Sequence, residues 1–265
     1  MDERAFFEGV ASYRLLAKKE VGQNFLVDAK TASFIVDALD IQPEEKILEI
    51  GCGAGSLTFF LAQSKGNVEA IDIDEAMLLK TGKDFQNRPN LEVKYGNAAK
   101  WDYAPYDKVI GNLPYYITSL LIERALLTGT NAKAMVFMVQ KEAGDRLLAK
   151  VGTKDYGPLP ILIALLSNAK KSFVVRRGCF APAPHVDSVV LRFEMKPERD
   201  PDIEKAYKIC NALFLQRRKT LLNNLKNMIH DGEKARRILS DLSLSENLRP
   251  EQVPPETYLA LAKML

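Results

Sequence analysis

The sequence predicts an α/β fold built on a mostly parallel sheet, followed by a small all-helical lobe. Short apolar runs alternate with segments of helical period as far as Glu194, the pattern of successive βαβ units. A glycine-rich turn, Gly51-Cys-Gly-Ala-Gly55, joins one of these runs to the helix after it. Beyond the charged, proline-bearing linker Lys196-Pro-Glu-Arg-Asp-Pro201 the apolar period is helical. This reads as an N-terminal arm at 1–27, an α/β domain at 28–196 and a helical C-terminal domain at 197–265.

Each element has its own signal. Residues 28–39 are amphipathic and open on Asp28, an aspartate cap. Strands near Lys46, Val68, Leu91 and Asp107 interleave with helices near Ser56, Glu75 and Thr118, with Ser56 and Asp74 expected as helix caps. A strand at 134–139 and a helix at 142–150 follow. After Asp155-Tyr-Gly-Pro-Leu-Pro160 comes another helix, then strands at 171–175 and 188–194 that are expected to pair antiparallel at one sheet edge. Helical periodicity covers 203–215, 220–229 and 257–265.

Length and composition suit one large core and a smaller lobe, with 265 residues of which 47% are apolar. Cys52, Cys179 and Cys210 are scattered and odd in number, and His185 and His230 are the only imidazoles, so neither a disulfide framework nor a zinc site is supported. A reduced cytoplasm is the expectation. No run is long and apolar enough to span a bilayer, and no long apolar stretch follows Met1-Asp-Glu-Arg4, so no membrane partner is expected. Net charge is only +3, yet sixteen lysines and arginines face eight acids between Lys170 and Arg237. That basic half suits a phosphate backbone. Each pair taken singly, such as Lys170-Lys171 or Arg236-Arg237, reads first as a solvated helix face, and the cluster Gln216 to Lys219 is the better phosphate candidate.

Chemistry concentrates at strand ends. Asn112-Leu-Pro-Tyr115 follows the run Lys108-Val-Ile-Gly111. An exocyclic adenine amine carries N–H donors and a poorly available lone pair, so a site that reacts it needs close acceptors and a stacking surface. Asn112 and the Leu113 carbonyl would accept, Pro114 would fix the carbonyl's direction, and Tyr115 would cover the ring. A plain strand ending in a proline turn fits the same four residues. Upstream, Gly51, Gly53 and Gly55 follow the strand at Lys46, and Ser56 stands where a dinucleotide fingerprint would have glycine. That spacing favours an adenosyl ligand without a pyrophosphate. Asp72 ends the next strand, placed to accept ribose hydroxyls or simply to end it. Asn97, after the third strand, would meet an adenine amine or merely make a turn.

In this order the residues resemble the ribosomal RNA adenine N6-dimethyltransferases that modify small-subunit RNA. The resemblance runs almost end to end: Lys18-Lys-Glu-Val-Gly-Gln-Asn-Phe-Leu26, the glycine loop, Asp72, Asn112 to Tyr115, Met138-Val-Gln-Lys-Glu142, Lys154-Asp-Tyr-Gly157 and Phe180-Ala-Pro-Ala-Pro-His-Val-Asp-Ser188. Gln216-Arg-Arg-Lys-Thr-Leu-Leu-Asn-Asn-Leu225 is similar to the ribosome-maturation branch rather than to the methylases of large-subunit RNA. The resemblance implies a Rossmann-like class I methyltransferase with a mostly parallel seven-stranded sheet, using S-adenosyl-L-methionine. It implies cofactor contacts from Gln23, Asn24, Leu26, Gly51, Gly53, Gly55, Asp72, Ile73, Asn97, Ala98 and Asn112. It gives catalysis to Asn112, Leu113, Pro114 and Tyr115, with Phe180 on the base's other face, and RNA contacts to Lys18, Lys19, Arg217, Arg218 and Lys219.

The implied partner is small-subunit rRNA in a pre-30S-type particle, met by a monomer without a metal. Asn97 stands where the family commonly has aspartate, Tyr116 where asparagine is common and His185 where lysine is frequent. Rivals are an adenine methyltransferase of DNA or large-subunit RNA, a non-catalytic RNA-binding assembly factor on the same fold, and an NAD oxidoreductase, whose fingerprint Ser56 breaks.

Overall fold

The structure is a computed structural model describing residues 2–13 and 23–265. Lys18 and Lys19, expected to meet RNA, lie outside the described residues. The chain packs as two compact units, Met1–Gly144 with Ala169–Met195, and Asp145–Asn168 with Lys196–Leu265.

In the first unit, α1 (Glu3–Ser12) starts where Asp2 accepts from the Ala5 N–H and buries Phe6, Phe7 and Val10. The segment read as an arm therefore contributes a helix to the core, because those three residues fall on one face. Then come β1 (Phe25–Leu26), α2 (Ala29–Asp37), β2 (Lys46–Ile50), α3 (Thr58–Leu61), β3 (Asn67–Asp72), α4 (Glu75–Asp84), β4 (Leu91–Tyr95), β5 (Lys108–Asn112), α5 (Thr118–Thr128) and β6 (Ala134–Gln140). Asp28 caps α2 by accepting from the Thr31 N–H, and Asp74 caps α4 by accepting from the Ala76 N–H.

After β6 the chain forms α6 (Lys141–Leu147), α7 (Pro158–Leu166), β7 (Ser167–Val175), β8 (Phe180–Ala181) and β9 (Ser188–Met195). Helices α8 (Ile203–Phe214), α9 (Leu221–Ile229), α10 (Gly232–Asp241) and α11 (Pro255–Met264) complete it. Residues 145–168, read from sequence as part of the α/β domain, pack instead with these last helices. The cause is visible in α7, where Ile161, Leu162, Ile163, Leu165 and Leu166 are all buried; a helix apolar on so many sides needs other helices around it, and α8 and α11 cover it.

The seven-stranded sheet has the order β4-β3-β2-β5-β6-β9-β7. Pairing is parallel from β4 through β6, and β9 runs antiparallel to β6. The antiparallel strand thus lies inside the edge, between β6 and β7. Central strands β5 and β6 are buried along nearly their whole length, which is why Val109-Ile-Gly111 and the run from Ala134 read as apolar segments, while the buried Lys108 at the start of β5 pairs with Glu45 at 2.9 Å. A separate ladder pairs β1 with β8, Leu26 opposite Phe180. From β2 the chain builds outward to β3 and β4, then crosses to β5 on the other side. The sheet's topological switch point is therefore between β2 and β5, and ligands bind beyond the carboxyl ends of strands at such a point.

Candidate active site

A cleft opens at that switch point. Its walls are the loop after β2, the ends of β3 and β4, the corner after β5, and β1. Gly51 and Gly53 have φ of +69° and +51°, a left-handed turn that strains any residue bearing a Cβ. The Gly53 N–H donates to Asp72 at 2.8 Å and the Asp74 N–H to the other Asp72 oxygen at 2.9 Å, so this carboxylate ties the β2 loop to the end of β3. Each oxygen keeps acceptor capacity for a diol. Burial pushes the Asp72 carboxyl up, against the pull of the backbone N–H groups of Asp74, Gly53 and Ile73.

Glu49 was not picked out from sequence. It lies on β2, 1% exposed, on the cleft wall, with the Thr58 hydroxyl donating to it at 2.7 Å. Burial, helped by the charge of Asp72 and opposed by the Thr58 hydrogen bond, pushes it up to about 8. An acid inside the apolar run Lys46-Ile-Leu-Glu-Ile50, directly before the glycines, was the available signal.

Beyond β5, the Leu113 N–H donates to the Met138 carbonyl at 3.0 Å and the Thr118 hydroxyl to the Pro114 carbonyl at 2.9 Å, which fixes the corner. The Asn112 amide nitrogen donates to the Asn24 carbonyl across 3.4 Å, leaving its oxygen as the free acceptor. Tyr115 is part-buried with its hydroxyl 3.4 Å from Ser188 Oγ, and burial raises its pKa.

The cleft gathers Gln23, Asn24, Leu26, Gly51, Gly53, Asp72, Ile73, Asn97, Ala98, Asn112, Leu113, Pro114 and Tyr115, all named as candidates from the sequence. Others stand elsewhere. Gly55 lies behind the loop, where an added Cβ would come within 3.1 Å of Phe85 and 3.4 Å of Phe6, so it serves packing. Phe180 is 4% exposed, packed in the core beside Leu26 rather than on the cleft wall. Ser56 does not cap α3; its hydroxyl donates to the Leu26 carbonyl at 2.6 Å and fastens β1 to the loop. The Asn97 oxygen accepts from the Ala99 N–H at 2.9 Å, so the turn uses part of the acceptor expected for adenine. Arg217 donates to the carbonyls of Lys154 and Thr153 within the second unit, while Arg218 and Lys219 are exposed.

The cleft carries two carboxyls, Glu49 and Asp72, and no lysine, arginine or histidine among its described lining residues. A pyrophosphate would find no cationic side chain there, whereas an adenosyl ligand without one fits. Over residues 14–265 the chain matches the family described as ribosomal RNA adenine dimethylase. The chain belongs to that family.

Relatives of this rRNA adenine dimethylase agree. A ribosomal RNA small subunit methyltransferase A of Malacoplasma penetrans is 34% identical over 98% of this chain and 96% of its own length. Its Thermotoga maritima namesake is 38% identical over 88% of this chain and 84% of that protein. A crystal structure of a dimethyladenosine transferase from Plasmodium falciparum superposes with a TM-score of 0.78 at 29% identity, over 88% of this chain and 94% of that one. The fold is the Rossmann-like class I methyltransferase architecture, and the enzyme is a methyltransferase dependent on S-adenosylmethionine. Among the described residues no helix is long and apolar enough to cross a membrane.

Proposed function

We propose that this enzyme methylates the N6 amines of two adjacent adenines in the 3′-terminal hairpin of small-subunit rRNA. It acts as a monomer on a pre-30S-type particle, in the cytoplasm and without a metal. The observation that carries the reading is a cleft with no lysine, arginine or histidine among its described lining residues, opening beside the Asn112 to Tyr115 corner and holding the Asp72 carboxylate at the end of β3. When bound, S-adenosylmethionine supplies an electrophilic methyl on a sulfonium.

Asp72 would hold the ribose, the Gly51 and Gly53 backbone would approach the ligand closely, and Gln23, Asn24, Leu26, Ile73, Asn97 and Ala98 would complete the pocket. Asn112 Oδ1 and the Leu113 carbonyl accept the target amine's hydrogens and aim its lone pair. Tyr115 stacks on the base. Positioning of this kind contributes roughly 7–11 kcal/mol, against a factor of about 10²–10⁴ for a general base, so orientation suffices without a strong base. Phe180, packed in the core beside Leu26, would brace the β1 wall of the pocket through β8 rather than touch the base. Turning the adenine out of its stack costs a few kcal/mol, which aromatic stacking offsets.

The test is incubation with labelled S-adenosylmethionine and unmodified small-subunit precursors, followed by mapping of reverse-transcription stops. Label at two adjacent adenines near the 3′ end supports the reading. Label entering duplex DNA or large-subunit RNA instead, or none entering any RNA, refutes it.

A further inference from the structure

We propose that the face formed by the start of α2 and the end of β7 is an RNA-binding surface that receives nucleotides flanking the target base; the inference rests on the rRNA reading above. The surface begins at the rim of the cleft. Leu26, on the cleft wall, pairs with Phe180, the Val27 N–H donates to the Cys179 carbonyl at 2.8 Å, and the Thr31 hydroxyl lies 3.9 Å from Cys179 Sγ. The first turn of α2 thus rests against the short turn Arg177–Cys179.

One turn further along α2, Phe34 is 49% exposed. The Phe173 ring braces it edge-on at 6.4 Å, and the Lys30 ammonium stands 5.6 Å from its centroid. An aromatic held from the side while half its surface meets water presents a platform to a planar partner. Lys30, Arg176 and Arg177 are exposed, and none forms an ion pair with a described residue. Of the acids alongside, Asp28 accepts from the Thr31 N–H as the cap of α2 and Asp187 accepts from the Arg177 N–H, which leaves three exposed cations against two carboxylates. Apolar protein interfaces are depleted of charge at their centres, whereas a cation over a half-exposed ring, with two more exposed cations at the adjoining turn, matches phosphates and a base.

Methyl transfer to unmodified small-subunit particles tests this. Phe34→Ala is expected to raise the KM for particles about tenfold, as loss of one stacked base does, with kcat and cofactor affinity held within about twofold. Phe34→Tyr should restore the wild-type KM. Lys30→Ala with Arg177→Ala should reduce the salt dependence of particle binding by about one to two units of log–log slope. If the wild type methylates particles and Phe34→Ala keeps its KM, the inference falls alone; if the wild type transfers nothing to them, the rRNA reading falls and takes the inference with it. A KM rise seen with particles but absent with protein-free rRNA would assign the surface to a protein partner and also overturn it.

Discussion

Among the described residues the Asn112 side chain makes one long hydrogen bond, to the Asn24 carbonyl at 3.4 Å, while the glycine loop is fixed independently through Asp72. Asn112→Ala should therefore leave cofactor affinity largely intact and lower methyl transfer by at least about 10²-fold, the scale of a misplaced reacting group. Calorimetric titration beside single-turnover kinetics checks both halves, and near-normal turnover would remove Asn112 from its role. Glu49 makes a second prediction through its proton. Its carboxyl is raised in the folded state from an ordinary 4.5 to about 8, so between those values the folded chain holds a proton that the unfolded chain has lost. Stability of the cofactor-free protein should then be greatest at the acid end of that window and decline as pH rises towards about 8, levelling above it. Glu49→Gln, unable to ionise, should flatten that slope in denaturant titrations across the window. An unchanged slope would mean that another group sets it.

At the scale of the elements, β2 and β5 meet where the cleft opens, and Gly111 lets them do so. An added Cβ there would sit 2.7 Å from the Ile50 carbonyl oxygen and 3.2 Å from Ile50 Cβ, neither of which moves cheaply in a buried parallel pair. Gly111→Ala should cost about 1–3 kcal/mol of stability, read from the denaturant midpoint, and weaken cofactor binding as the strand ends part. The strands around this point were legible in sequence because buried parallel strands are mostly apolar runs bounded by turn residues, as in the segments that follow Lys46, broken only by Glu49, and Lys108. The acidic cap Asp74 was legible for the same kind of local reason. What escaped is non-local or too short. The β1–β8 ladder is two residues long on each side, below any period, and its partners lie far apart in sequence. Ser56 has the chemistry of a cap, yet pairing of β1 nearby gives its hydroxyl a carbonyl instead. Helix α10 hides Ala235, Ile238 and Leu239 in a sequence otherwise almost wholly polar.

For the whole molecule, charge and packing divide the basic segment Gln216 to Lys219 into two jobs. Arg217 donates to the Lys154 carbonyl at 2.5 Å and the Thr153 carbonyl at 3.2 Å, with Glu251 at 3.6 Å, so it pins the loop before α7 to the chain before α9. That link also bears on why 145–168 fold with the C-terminal helices. Tyr156 adds to it by donating to the Val253 carbonyl at 3.0 Å, and the Gly152 N–H reaches the Glu251 carbonyl at 2.8 Å. Cutting the chain at Lys196 would strip α7 of the helices that cover it, so truncation would report misfolding rather than RNA recognition. Substitution separates the roles. Arg217→Ala should lower stability by about 1–2 kcal/mol, a charged donor lost from carbonyls at a part-exposed site. Arg218→Ala with Lys219→Ala should leave stability and cofactor affinity alone, because both side chains are exposed. If those two meet phosphates, the salt dependence of binding to small-subunit RNA should fall by roughly two units of log–log slope, since each neutralised phosphate contributes about 0.9. Filter binding across a salt series measures this directly. A slope unchanged in the double variant but reduced in Arg217→Ala would exchange the assignments, leaving the structural contacts of Arg217 as the smaller part of what it does.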